Sequence, residues 1–409
     1  MEKISDRFIR YIKVDTQSDH NSDTHPSTAK QFNLAKMLVK ELQGLGLKDA
    51  AVDENCYVMA SLPANTDKAI PSIGWLAHMD TSPDASGEHV TPRLIPDYDG
   101  KPIVLDAATQ TILSPVDFPD LLQYLHQPLI ITDGKTLLGA DDKAGVAIIM
   151  SMLENLVTHL EVKHGKLCVA FTPDEETGHG VDFFDVQNFG ADFAYTIDGG
   201  ELGELEYECF NASMAKIHIQ GRNIHPGKAK NKMVNSIQLA MDLHAMLPVN
   251  ERSEYTEKYE GFFHLMHFDG TVEETSMGYI IRDHDRVKFE HKEQVLRDAL
   301  SYLNQRIGSE RITLTITEQY QNMKEVILPS MHIVDTAKKA MEMLGVTPII
   351  IPIRGGTDGS RLSYMGLPTP NIFTGGHNGH GKYEYIAINS LEKSVEVVLK
   401  IIELYTNKD

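Results

Sequence analysis

At 409 residues the chain is too long for one ordinary core, so length implies two domains, or one large domain carrying an insertion. Hydrophobic residues at 42% and charged residues at 23% describe a globular protein and exclude a disordered or fibrous one. With 38 Lys plus Arg against 58 Asp plus Glu, the formal charge of −20 repels phosphate backbones and anionic lipid, so neither nucleic acid nor a membrane surface is an expected partner.

The opening Met-Glu-Lys-Ile-Ser-Asp holds no apolar signal core, and no apolar run approaches the roughly 20 residues that span a bilayer. Cys56, Cys168 and Cys209 are far apart and lack Cys-x-x-Cys spacing, which fits a reducing, cytoplasmic setting. Ile4, Phe8, Ile9 and Ile12 recur at helical spacing, and a second amphipathic helix is predicted from Ser27 to Leu45. Short apolar runs follow at Ile73–Ala77, Leu167–Phe171, Phe193–Ile197 and Ile349–Ile353, with helical patterns between several of them; the alternation predicts an α/β layered sheet. Such sheets place ligands beyond the carboxyl ends of their strands, where His78, Glu175, Glu176 and Asp198 stand. From about Glu208 to Tyr320 the pattern changes. Alternating strands near Ala215–Ile219 and Gly278–Arg282, with helices near Asn235–Met246 and Lys288–Gln305, predict an inserted α+β domain. The expected division is thus 1–207 with 321–409, and 208–320.

Five constellations carry chemistry. In Trp75-Leu76-Ala77-His78-Met79-Asp80-Thr81 a strand delivers an imidazole and then a carboxylate able to orient it, although a His-x-Asp triplet also fits ordinary turn chemistry. Leu138-Gly139-Ala140-Asp141-Asp142-Lys143-Ala144-Gly145 sets two acids in a glycine-flanked turn opening a helix; capping needs only one of them. Phe171-Thr172-Pro173-Asp174-Glu175-Glu176 puts three acids after a strand, and because adjacent side chains diverge, one glutamate can bind metal while its neighbour faces substrate as a base. Asp198 ends another strand, and Thr374–Gly381 is a glycine-rich loop holding His377 and His380. From them His78, Asp141, Glu176, Asp198 and one late histidine give two imidazoles and three carboxylates without thiolates, a set suited to a catalytic zinc pair rather than a structural zinc.

These motifs, with Val14–Ser18, Asp198–Glu206, Arg354-Gly355-Gly356-Thr357-Asp358-Gly359 and Thr374–Glu384, resemble the co-catalytic zinc exopeptidase family that contains the bacterial glutamate carboxypeptidase and the acetylornithine and succinyl-diaminopimelate deacylases, and within it the tripeptide aminopeptidases. The resemblance covers nearly the whole chain. It implies a catalytic domain with a central mixed sheet between helices, and a smaller inserted α+β domain that serves as lid and dimerisation surface. It further implies two zinc ions per subunit. His78 and Asp198 would bind one, Glu176 and His380 the other, and Asp141 both; Asp80 would orient His78, and Glu175 would activate a water shared by the ions. His377 has no implied ligand role, and the peptide bond after Asp141 is expected to be cis.

For substrate, the resemblance offers His225, in Asn223-Ile224-His225-Pro226-Gly227, as an oxyanion donor from the same or a second subunit of a homodimer. Arg354 and Arg282 are candidates to grip the C-terminal carboxylate, because guanidinium geometry suits it. The implied activity is release of the N-terminal residue from small peptides, tripeptides first. A dipeptidase, carboxypeptidase or N-acyl deacylase would share the same metal set. A metal-binding module without catalysis would have no need of Asp80 and Glu175.

Overall fold

The computed structural model describes residues 1–407 and divides the chain into two compact units. One comprises Met1–Tyr207, Glu325–Ile351 and the residues from Thr357 onward; the other comprises Glu208–Lys324 and Pro352–Gly356. Arg354, counted with the larger part on sequence grounds, therefore folds with the smaller unit.

The larger unit is built on an eight-stranded mixed sheet, ordered Ala51–Val52, Val58–Leu62, Leu167–Thr172, Ile73–His78, Phe193–Ile197, Asn371–Ile372, Glu204–Glu206 and Ile349–Ile350. At its centre Ile73–His78 runs parallel to both Leu167–Thr172 and Phe193–Ile197, and Asn371–Ile372 continues the parallel run. Every residue of the three long parallel strands is buried, which accounts for their continuous apolar sequence. Parallel register has a further consequence. Because His78 pairs with Thr172 and Leu76 with Thr196, the acids at 174–176 and Asp198 leave the sheet at the same edge as His78.

Behind this edge lies the helix Ala140–Thr158, apolar on nearly every side and packed against Ile73–His78 and against the helices Ile4–Ile12 and Ile388–Thr406. The first predicted helix forms as Ile4–Ile12 with Ile4, Phe8 and Ile12 buried. The second begins only at Gln31, not Ser27. Ser27 is diverted: its N–H and hydroxyl both donate to Asp174, while Thr28 Oγ1 donates to the Gln17 carbonyl. Likewise the apolar run at 349–353 yields only the two-residue strand Ile349–Ile350, since Pro352 onward joins the other unit.

The smaller unit is a four-stranded antiparallel sheet, ordered Phe262–Gly270, Glu274–Asp283, Asn211–Gln220 and Ile312–Tyr320, with the helices Ser236–Met246 and Arg286–Ile307. Ile217, Ile219, Leu239, Leu243, Tyr279 and Leu296 belong to its core. Asn235 and Asp285 cap the two helices, each accepting the backbone N–H three residues on. No helix among the described residues is long and apolar enough to cross a membrane.

Candidate metal centre and active site

The sheet edge gathers ligands into two groups that share one residue: His78, Asp141 and Asp198 form the first, and Asp141, Glu176 and His380 the second. Asp141 faces a different histidine with each oxygen. Its Oδ1 is 3.0 Å from His78 Nε2 and its Oδ2 is 3.2 Å from His380 Nε2. Glu176 Oε2 lies 2.9 Å from His380 Nε2, and Asp198 Oδ1 lies 4.0 Å from His78 Nε2.

Local structure explains how each side chain arrives there. His78 ends its strand with Nδ1 3.1 Å from the Asp80 carbonyl oxygen and 3.2 Å from Asp80 Oδ1, which keeps a proton on Nδ1 and turns Nε2 toward Asp141. Asp80 does more than orient the ring. Its Oδ1 and Oδ2 accept the backbone N–H groups of Glu175 and Glu176 at 3.1 and 3.2 Å, so one buried carboxylate fixes both the histidine and the acidic turn. From the other side Asp174, in the left-handed region at φ 54°, accepts from Ser27 and from Gln31 Nε2 and pins the start of the same turn.

In the glycine-flanked turn the two acids divide the work. Asp142 is the cap: its Oδ1 accepts the Gly145 N–H at 3.2 Å and its Oδ2 accepts the His78 N–H at 3.1 Å, tying the helix start to the strand. Asp141 is thereby free to face the histidines, and the peptide between the two is cis. Gly145 is obligatory, because a Cβ there would collide with the Ile197 carbonyl oxygen and the Asp142 carboxylate. Glu384, buried and four residues past His380, completes the support. It accepts three backbone N–H groups, from Leu138 at 2.6 Å, Gly139 at 2.8 Å and Asp141 at 3.0 Å.

Charge at the edge is unbalanced. Burial pushes the Glu176 carboxyl up to about 8 and Asp198 to about 6, with Asp141 adding to both, and burial raises Glu175 well above its ordinary value. Burial opposes ionisation of Asp141 as well, but the hydrogen bonds from His380 and His78 outweigh it and hold that carboxyl below the usual range. His380 is raised to about 11 by Asp141 and then Glu176. For His78, burial disfavours the charged ring, yet Asp141 and Asp80 prevail and raise it. The raised carboxyls and imidazoles, Asp141 excepted, express a deficit of positive charge.

Two divalent cations fit that deficit. The donors are imidazole nitrogen and carboxylate oxygen, and Glu176 Oε1 is buried with no hydrogen-bond partner among the described residues, as a ligand oxygen facing an ion would be. Glu175, next to it, has no hydrogen-bond partner for its carboxylate among the described residues. Beside Asp141 and Asp198 opens a pocket of about 270 Å³, also lined by Glu206, Thr374, Asn378 and Glu384. His377 lines it too, its Nε2 2.6 Å from the Tyr124 hydroxyl and its ring stacked on Tyr385, which is a packing role.

The remaining candidates belong to the smaller unit. His225 is exposed, and its Nδ1 accepts the Gly227 N–H at 3.2 Å. Arg354 donates to the carbonyl oxygens of Lys258, Glu260 and Thr256 and stacks over Phe210 and Phe262. Arg282 is 8% exposed and donates to the carbonyls of Ser213 and Ile281 and to Gln319 Oε1. The backbone-fixing roles of Asp174 and Glu384 are not apparent in the sequence, where Asp142 figures only as one of two possible helix caps. Glu384 has one usable signal, an acid between two tyrosines immediately before the apolar strand Tyr385–Ala387.

The model for Peptidase family M20/M25/M40 matches residues 130–404. Over 408 residues the chain is 63% identical to a protein named Peptidase T from Alkaliphilus oremlandii (strain OhILAs), covering 99% of this chain and 100% of that one. It is 56% identical to the Peptidase T of Geobacillus sp. (strain WCH70) over 406 residues, 99% of each chain. In fold it resembles aminopeptidase PepT from Bacillus cereus ATCC 10987, with a TM-score of 0.79 at 24% identity over 99% of this chain and 98% of that one. It also resembles the Bacillus subtilis YXEP protein, described as a dinuclear metal binding peptidase from the M20 family, with a TM-score of 0.63 at 12% identity over 98% and 97% of the two chains.

Proposed function

The chain belongs to Peptidase family M20/M25/M40 and, within it, to the peptidase T family, and from that premise we propose a metallo-aminopeptidase that releases the N-terminal residue from tripeptides at the Asp141-centred edge of the larger unit. The observation that carries the placement is Asp141 itself, one carboxylate turned toward two histidines from distant parts of the chain. His78 and Asp198 would hold one divalent cation, Glu176 and His380 the other, and Asp141 both; the nitrogen and oxygen donor set suits zinc. When bound, such a pair supplies Lewis-acid polarisation of a peptide carbonyl and lowers the pKa of a water.

Glu175 is the proton carrier in this reading. Its carboxylate is unclaimed, its backbone is fixed by Asp80, and burial raises its proton affinity, so it can take a proton from the attacking water and return it to the leaving amine. His225 supports an oxyanion-donor role in one respect. With Nδ1 accepting from Gly227, a neutral ring carries its proton on Nε2, where it can be donated. Arg354 and Arg282 face no carboxylate among the described residues of their unit, so each keeps a positive charge for the C-terminal carboxylate of a peptide. A homodimer through the smaller unit is also proposed, from a groove of about 490 Å³ on its sheet lined by Met214, Met266 and Met277. All three cysteines are buried free thiols, which supports a cytoplasmic setting.

Hydrolysis of a free tripeptide, a dipeptide and an N-acetylated tripeptide tests the activity: the free tripeptide should be cut fastest, and preference for the acetylated peptide would sink the reading. Glu175→Ala should keep two metal equivalents and an unchanged melting curve while kcat falls about 10²- to 10⁴-fold. Near-normal turnover in that variant would remove Glu175 from the mechanism.

A further inference from the structure

An enzyme that acts only at a free N-terminus has to tell an ammonium group from a blocked one, and the discriminating group must stand near the first carbonyl. The pocket beside Asp141 offers acids for this, and among the described residues neither lysine nor arginine lines it. Most of those acids are already committed. Asp141 and Asp198 belong to the two ligand groups, and Glu384 accepts three backbone N–H groups. Glu206 alone among them has no hydrogen-bond donor and no ion-pair partner among the described residues, although it is partly buried in the pocket wall.

Its place in the sheet is informative. Glu206 ends the strand Glu204–Glu206 and pairs with Asn371, which pairs in turn with Thr196, two residues before Asp198. Glu204, on the same strand, meets the N–H groups of Gly200 and Glu201, so the local loop satisfies one glutamate and leaves the other bare. An unpaired, partly buried carboxylate is costly to keep and gains most from a ligand that brings its own positive charge. Resting on the aminopeptidase reading above, we propose that Glu206 receives the α-ammonium group of the peptide's first residue, and so selects free N-termini and positions the first carbonyl beside Asp141.

The test compares a free tripeptide with its des-amino analogue, in which hydrogen replaces the ammonium group, on wild-type protein and on Glu206→Gln with both metals loaded. Wild type should prefer the free tripeptide, and Glu206→Gln should lower its kcat/KM about 10- to 100-fold while the des-amino rate stays within about twofold, so that the preference collapses. An unchanged preference in the variant, or an equal fall for both substrates, overturns the assignment. Failure of the aminopeptidase reading looks different, because wild type itself would then show no preference for the free tripeptide. Should Glu206→Gln not fold, Glu206→Asp, which keeps the charge but withdraws it by one methylene, is read on the same ratio: a reduced preference supports the assignment and a wild-type ratio overturns it. A binding readout runs beside the kinetics. In Glu175→Ala protein, the affinity for the free tripeptide should fall on adding Glu206→Gln and that for the des-amino analogue should not.

Discussion

The two halves of the proposed metal centre share Asp141 but are built on different foundations. His78 sits at the end of a central strand, 2% exposed, its second nitrogen held by a fully buried Asp80. His380 comes from a loop, in the left-handed region at φ 63°, 45% exposed, and its second nitrogen lies 3.4 Å from Asp84, itself 64% exposed. A ligand fixed by strand register and a buried carboxylate is preorganised, whereas one carried by a solvated loop must be ordered each time it binds. The comparison teaches that shared coordination does not mean equal hold: the cation at His78 should stay longer than the one at His380.

The largest effect is expected where the halves meet. Asp141→Ala removes a donor from both groups, so metal analysis should find both cations lost together with turnover; retention of one full equivalent would break the idea of a shared ligand. Next comes the asymmetry itself. Graded chelation should strip one equivalent before the other, and His380→Ala should start from the half-stripped state, while His78→Ala should lose the tighter equivalent. Simultaneous loss of both in wild type would contradict the difference in foundation.

Asp80→Ala probes what supports the tighter half. It should weaken metal binding about 10- to 100-fold and also loosen the turn bearing Glu175 and Glu176, so kcat should fall in addition to the affinity. Restoring full metal occupancy should therefore not restore full turnover, and complete recovery would reduce Asp80 to a ring-orienting group. The smallest effect is assigned to Glu384→Gln. Replacing one acceptor oxygen by NH₂ before a row of backbone N–H groups should destabilise the fold by about 1–3 kcal/mol, read as a lowered melting temperature, with both metals retained at saturation.

The pattern of what the sequence disclosed follows from the same physics. His78, the acids at 174–176 and Asp198 were legible because each follows an apolar run, and parallel strands deliver their carboxyl ends to one edge. Asp141 was legible as one of a pair with more acids than capping requires, but only the fold shows that Asp142 takes the cap and the strand contact. Glu384 and Asp174 act through backbone N–H groups contributed by segments far away in the chain, and no spacing rule encodes such a partner. Arg354 sat inside a glycine-rich motif that gave no hint of its carbonyl partners at 256–260. Ser27 misled as a helix start because its hydroxyl serves Asp174 instead.

The most direct test of the central claim is an anomalous-scattering measurement on zinc-soaked crystals of the intact chain. Two zinc peaks are predicted, one touching His78 and Asp198, the other Glu176 and His380, with Asp141 between them. A single peak, or peaks that leave Asp141 uncoordinated, would contradict the account.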